Sequence, residues 1–197
     1  MSKKSLQIKE QVNALYAEEA KLHPAFFLIG NWRFLFTERQ VKVMIARALN
    51  WCVTTDKMEI AGYLITYKRL CLVLRHEKAD AEKLTKLFPI VLTDSVTAWA
   101  RDTKPLLDIK SPEKATADDA DLFDPILTPY PAIDNYLVWL ITGRTVDIPY
   151  YDPYLERLKI VTHAAEFCSA GDYLGAEGPV LVTLISSDQA IRVITDN

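Results

Sequence analysis

Two apolar runs stand three residues apart in the first half of the chain, MEIAGYLIT (58–66) and LCLVLR (70–75), with Tyr67, Lys68 and Arg69 between them. So short a separator leaves no room for a crossover, and the runs read as the buried strands of a β-hairpin. What precedes them is equally constrained. Thr37-Glu38-Arg39-Gln40 has the form of a capping box, in which the hydroxyl accepts from the amide three residues on and the glutamine reaches back. A helix starts there. Its inner face is Val41, Met44, Ile45, Ala48, Leu49 and Cys52, and Thr54-Thr55-Asp56-Lys57 ends it.

Upstream, AFFLIGNWRFLF (25–36) is dense in aromatic and aliphatic residues, and Gly30-Asn31 at its middle suits either one bent or bulged strand or a tight hairpin of two short ones. Downstream, residues 80–88 place Ala81, Leu84, Leu87 and Phe88 on one helical side, and Pro89 either kinks this helix or opens a short strand through Thr93. The order strand, helix, strand, strand, helix, with room for a further strand, predicts an α+β fold. The expected form is a ferredoxin-like antiparallel sheet with helices on one face.

The ends read differently. Residues 7–21 carry Ile8, Val12, Leu15 and Tyr16, and then Leu22, at helical spacing, closed off by His23-Pro24, so residues 1–24 are expected to form a leading amphipathic helix. Residues 25–101 are the α+β core. From 102 to 131 the pattern dissolves into Pro105, Pro112, Pro125, Pro129 and Pro131 with Asp118, Asp119, Asp121 and Asp124, which reads as a long acidic loop. A short helix over 133–141, stopped by Gly143, follows, and Asp152-Pro153 opens another to about Cys168. Residues 180–185 form a β-branched run suited to a strand, and 188–194 suit helix or strand. Residues 102–197 are thus a loop and a helical C-terminal extension of the same domain.

With 197 residues, half of them apolar and a quarter charged, the chain can close a core without disulfide or metal. The three cysteines, Cys52, Cys71 and Cys168, have no metal-type spacing and read as reduced, buried thiols of a cytoplasmic protein. No apolar run reaches the roughly 18–20 residues that cross a bilayer, and the polar N-terminus lacks an export signal, so no membrane association is expected. Charge is uneven: residues 1–100 carry 15 basic against 10 acidic side chains, and the remainder 8 against 16. A basic half suits phosphate, while the overall charge of −3 argues against strong non-specific nucleic-acid binding. His23, His76 and His163 have no second ligand three or four positions away, and the six glycines never form a phosphate loop. The aspartates at 118–124 lack calcium-loop spacing.

The run from Arg33 to Leu74, RFLFTERQVKVMIARALNWCVTTDKMEIAGYLITYKRLCLVL, resembles the HUH-class tyrosine transposases, particularly their REP-associated group. In that family an arginine-led segment enters a helix, and the next two strands carry A-Y-V-I/L-M-P-N-H-V-H-L-I/L-L. GYLITYKRLCLVL lies on this pattern without a gap. Gly62-Tyr63-Leu64-Ile65 falls on the opening and Leu70, Leu72, Val73 and Leu74 on the apolar positions, while Arg69 and Cys71 occupy the places of the two metal-binding histidines. Further on, residues 122–127 (LFDPIL) and then Asp134-Asn135-Tyr136-Leu137 lie on the segment that carries the nucleophilic tyrosine, whose place Phe123 takes. The resemblance covers roughly residues 25–140, and the C-terminal third, with GRTVDIPYYDP, departs from it.

The resemblance implies a metal-dependent strand-transfer scaffold, and the departures imply its loss of chemistry. In the family a divalent ion on the two histidines polarises the scissile phosphate for attack by the tyrosine. Arginine cannot ligate a cation, a lone thiolate suits magnesium or manganese poorly, and phenylalanine has no hydroxyl. No cofactor and no catalytic residue is therefore expected. Tyr130, Tyr136, Tyr150, Tyr151, Tyr154 and Tyr173 read as packing or surface aromatics. What remains is binding: Lys68, Arg69, Arg75, Arg33 and Lys78 are candidate contacts to a DNA hairpin or single strand, with Arg69 offering phosphate a fork of donors. Trp32, Tyr63 and Tyr67 suit base stacking or, more simply, the core. Two rivals stand beside this expectation: a protein-interaction or structural domain on the same scaffold, and an active transferase using displaced residues. The resemblance implies a monomer or a homodimer.

Overall fold

The computed structural model describes residues 21–103, 125–185 and 191–192, with the side chains of 100–103 and 191–192 left aside. The expected leading helix over residues 7–20 and most of the acidic loop, Phe123 included, lie outside the described residues.

The capping box forms as its residues dictate. Gln40 N donates to Thr37 Oγ1 at 3.3 Å, and Thr37 N donates to Gln40 Oε1 at 2.8 Å, opening α1 (Glu38–Thr55). All six expected inner-face residues of α1 are buried. The helix delivers the chain to β2 (Ile60–Ile65), which turns directly into β3 (Arg69–Arg75) with Ile65 paired to Leu70. Thr66 holds the turn: its N donates to Arg69 O, and its hydroxyl accepts from Arg69 N, each at 2.9 Å.

The remaining strands are β1 (Leu22–Ile29) and β4 (Leu127–Pro129), and the long helix α2 (Lys78–Thr103) joins β3 to the second half of the chain. The sheet order is β2-β3-β1-β4 with every pairing antiparallel. This is the ferredoxin-like arrangement, in which α1 carries the chain from β1 past the place of β3 to β2. Strand alternation then divides the apolar residues between two layers. Phe27, Ile29, Tyr63, Ile65, Leu70, Leu72 and Leu74 face α1 and α2. Phe26, Leu64, Cys71 and Val73 face the C-terminal elaboration, where α3 (Asn135–Ile141) contributes Leu137 and Ile141, beside Cys168, Ala170 and Ile185. A two-residue strand β5 (Val146–Asp147), the helix α4 (Pro153–Ala164), a 3-10 turn (Asp172–Leu174) and a two-residue strand β6 (Ile191–Arg192) parallel to β5 follow. No helix among the described residues is long and apolar enough to cross a membrane.

Several local expectations give way to tertiary packing. Leu22, His23 and Pro24 do not end a helix but lie within β1. Gly30-Asn31 makes neither a bulge nor a hairpin: the strand stops at Ile29 and residues 31–35 form a 3-10 turn. Trp32 decides this, since it is fully buried and its Nε1 donates to Ile126 O at 2.9 Å, drawing the turn against the chain that enters β4. Of the two expected placements of Pro89 the one within the helix holds, since α2 runs through it; no strand starts there, and the fourth strand comes from Leu127–Pro129. α4 stops at Ala164, four residues short of Cys168, because the chain there turns to run beside β2. Residues 180–185 form no strand of the sheet, but Thr183 N donates to Ile60 O at 2.8 Å.

The two edges are finished differently. Along the free side of β2, Ile65 N donates to Phe167 O at 2.9 Å and Ser169 N to Tyr63 O at 3.0 Å, so the C-terminal part of the chain closes that edge. On the other side β4 is too short to cover β1. Ile29 N donates to Lys68 O, so odd residues of β1 bond towards β3, while Tyr130 N donating to Phe26 O shows that even residues face β4. Pro24, an even position beyond the reach of β4, therefore places a residue without an N–H on an edge that no described strand covers.

Candidate functional site

Alternation along β3 sends Arg69, Cys71 and Val73 to the face opposite α1 and α2. Arg69 and Cys71 there line one cleft of about 330 Å³. Its apolar floor is Phe26, Leu64, Leu137 and Leu158, and its rim is Tyr130 and Ile133 from the segment after β4, Asp134 at the start of α3 and Tyr154 on α4. The Arg69 guanidinium carbon lies 5.5 Å from the Tyr130 ring centroid, a cation–π approach that holds the cation at the rim. Among the described residues Arg69 makes no ion pair.

Asp134 organises the opposite wall. One carboxylate oxygen accepts from Leu137 N at 3.2 Å, which caps α3, and the other accepts a short hydrogen bond from the Tyr154 hydroxyl. That bond first, and burial second, push the Tyr154 phenol up to about 12, so it stays protonated at neutral pH. Cys71 lies at the cleft base, 5% exposed; burial pushes its thiol from 9.0 up to about 12, against the opposing charge of Arg69. It is a neutral, small, apolar lining group.

This donor set does not fit a hard divalent cation. A guanidinium has no lone pair to offer and repels a cation, the thiol is protonated, and Asp134 is then a single carboxylate where such a cation takes about six oxygen ligands. No group of three metal-ligating side chains occurs among the described residues.

A second cleft, of about 390 Å³, lies across Arg69 from the first and is lined by Leu28, Asn31, Arg33, Lys68, Arg69 and Thr128 among others. The structure thus brings Lys68, Arg69 and Arg33 together, with unequal freedom. Lys68 and Arg69 are exposed at the hairpin turn. Arg33 is half-buried: its Nη1 donates to Gly30 O at 2.9 Å and closely to Ile29 O, and its guanidinium stacks 4.2 Å from the Phe34 ring centroid. It closes the end of β1. Arg75 and Lys78 are not part of this surface. They lie at the far end of β3, some ~20 Å along the strand, where Arg75 pairs with Glu59 at 3.7 Å and Lys78 lines a groove between β1 and α2.

The three aromatics that suited base stacking or, more simply, the core fall in or against the core. Trp32 and Tyr63 are fully buried, and Tyr67 is half-buried with its hydroxyl donating to Arg33 O at 3.1 Å. The aromatics that do reach solvent beside Arg69 are Tyr130 and Tyr154, 37% and 52% exposed. Sequence reasoning took both as ordinary packing or surface aromatics. The one signal pointing to them was Tyr130 between Pro129 and Pro131, a stiff setting that displays its side chain.

Comparison with known proteins finds no match: no family model fits the chain, and neither a curated protein nor a solved structure matches it.

Proposed function

We propose that the chain binds unpaired or hairpin DNA across Arg69 and does not cleave it. The observation that carries this reading is the joint placement of Arg69 and Cys71 in one cleft whose rim sets a guanidinium and two tyrosine rings beside a single carboxylate and whose base is neutral. Arg69 separates the two clefts, so a single strand laid across it meets Lys68 on one side and the Tyr130 and Tyr154 rings on the other. Phosphate at a guanidinium and bases on aromatic faces are the two elements of single-strand binding. Cleavage is left out of the proposal because the cleft's donor set does not suit a divalent cation and the Tyr154 hydroxyl is engaged with Asp134.

Fluorescence anisotropy with single-stranded and hairpin oligonucleotides at low salt tests the reading. Arg69→Ala is expected to weaken binding about ten-fold, as for one charge-assisted contact, and Lys68→Ala to reduce the salt slope by about 0.7. No binding at low salt, or binding indifferent to both substitutions, would overturn it. A covalent protein–DNA adduct formed in manganese would overturn the non-cleaving part.

One observation favours a second reading, that the same scaffold is a protein-interaction domain. Tyr150 and Tyr151, 51% and 78% exposed, precede α4, and aromatics of this kind are enriched where proteins meet. Co-purification of a defined partner free of nucleic acid, lost in a Tyr150→Ser/Tyr151→Ser variant, is the expected result.

A further inference from the structure

We infer that the Arg69 cleft takes one unstacked nucleobase and that the Asp134 carboxylate selects guanine; this rests on the DNA-binding reading above. The cleft has two unlike ends. Arg69 on one side of the rim attracts phosphate, and Asp134 on the opposite side repels it, so a nucleotide lies across the cleft with its phosphate at the guanidinium and its base towards the carboxylate. Between these ends the floor of Phe26, Leu64, Leu137 and Leu158 with the neutral Cys71 thiol suits a flat, largely apolar body, and about 330 Å³ is within the range of small-ligand pockets.

The choice of base follows from the inventory of donors. Asp134 is held in place by Leu137 N and the Tyr154 hydroxyl, one to each oxygen, which leaves further lone pairs on both. A carboxylate only accepts, and it is best met by two adjacent donors. Guanine alone among the DNA bases presents such a pair, N1–H beside the exocyclic N2 amine. Adenine and cytosine set an acceptor next to their amine, and thymine flanks its single N–H with two carbonyls, so each brings an acceptor against the carboxylate. Tyr154 acts as a positioning residue through Asp134.

The test uses the full chain and thymidine nonamers carrying one central guanine, adenine, cytosine or hypoxanthine, read by anisotropy. The guanine strand is expected to bind about ten-fold tighter than the other natural bases, as for a bidentate base contact. Hypoxanthine, which keeps N1–H and lacks the amine, should fall between them. Asp134→Asn still caps α3 through Oδ1, with its Nδ2 donating to the Tyr154 hydroxyl oxygen, so the fold is kept; it should abolish the guanine preference, the four strands then binding alike. Arg69→Ala should weaken all strands alike. Equal binding of all four strands, or a guanine preference that survives in Asp134→Asn, would overturn the assignment and leave DNA binding standing. Failure of every strand to bind would overturn both.

Discussion

Gly62 shows how closely the cleft is built on the sheet. A Cβ at this position of β2 would lie 2.6 Å from the Ile141 carbonyl oxygen, so α3 sits where it does only because β2 has no side chain there. Gly62→Ala should therefore destabilise the protein by about 1–3 kcal/mol, seen as a lower urea midpoint, and should weaken oligonucleotide binding by displacing the helix that carries Asp134. At this scale the sequence shows only half of the site. Arg69 and Cys71 are two residues apart on one strand, and alternation alone puts them on one face. Tyr130, Asp134 and Tyr154 come from three further segments, and the hydrogen bond joining Asp134 to Tyr154 spans 20 residues. No local pattern encodes that meeting, because it depends on how α4 lies against α3.

Among the elements, α1 is the one whose formation is most local, and its prediction is correspondingly simple. Thr37→Ala removes the acceptor for Gln40 N and should cost about 1 kcal/mol, measurable by thermal or chemical denaturation. α2 poses the opposite case. Pro89 within it cannot donate to the Thr85 carbonyl four residues back, yet the helix continues because Leu84, Phe88, Leu92 and Val96 on one face are buried against the core. Pro89→Ala supplies the missing N–H and should raise stability by about 1–3 kcal/mol. The hairpin and α1 were legible because their signals are short-range. β4 was not: three residues hold too little pattern to stand out, and its place is fixed by pairing with Phe27, Leu28 and Ile29 a hundred residues away.

The molecule as a whole holds its three thiols in apolar surroundings. Burial raises Cys52 and Cys168 to about 11 and Cys71 to about 12, from an ordinary 9.0. The sign follows from proton counting. Above pH 9 the unfolded chain releases thiol protons that the folded chain keeps, so stability is complete below that pH and declines as pH rises towards 11 to 12. The urea midpoint should fall between pH 8.5 and 10.5, and replacing the three cysteines by alanine should flatten that slope whatever it does to the absolute midpoint.

The closure of β2 by Phe167, Ser169 and Thr183 also bears on the order in which the chain is made. A ribosome adding about 5–20 residues each second needs roughly 6 to 24 s to travel from Ile65 to Thr183. Until residues 167–183 are made, the outer N–H and C=O groups of the nascent hairpin lack the partners they take in the folded chain, and a strand edge left in that condition is open to pairing with a neighbour on the polysome.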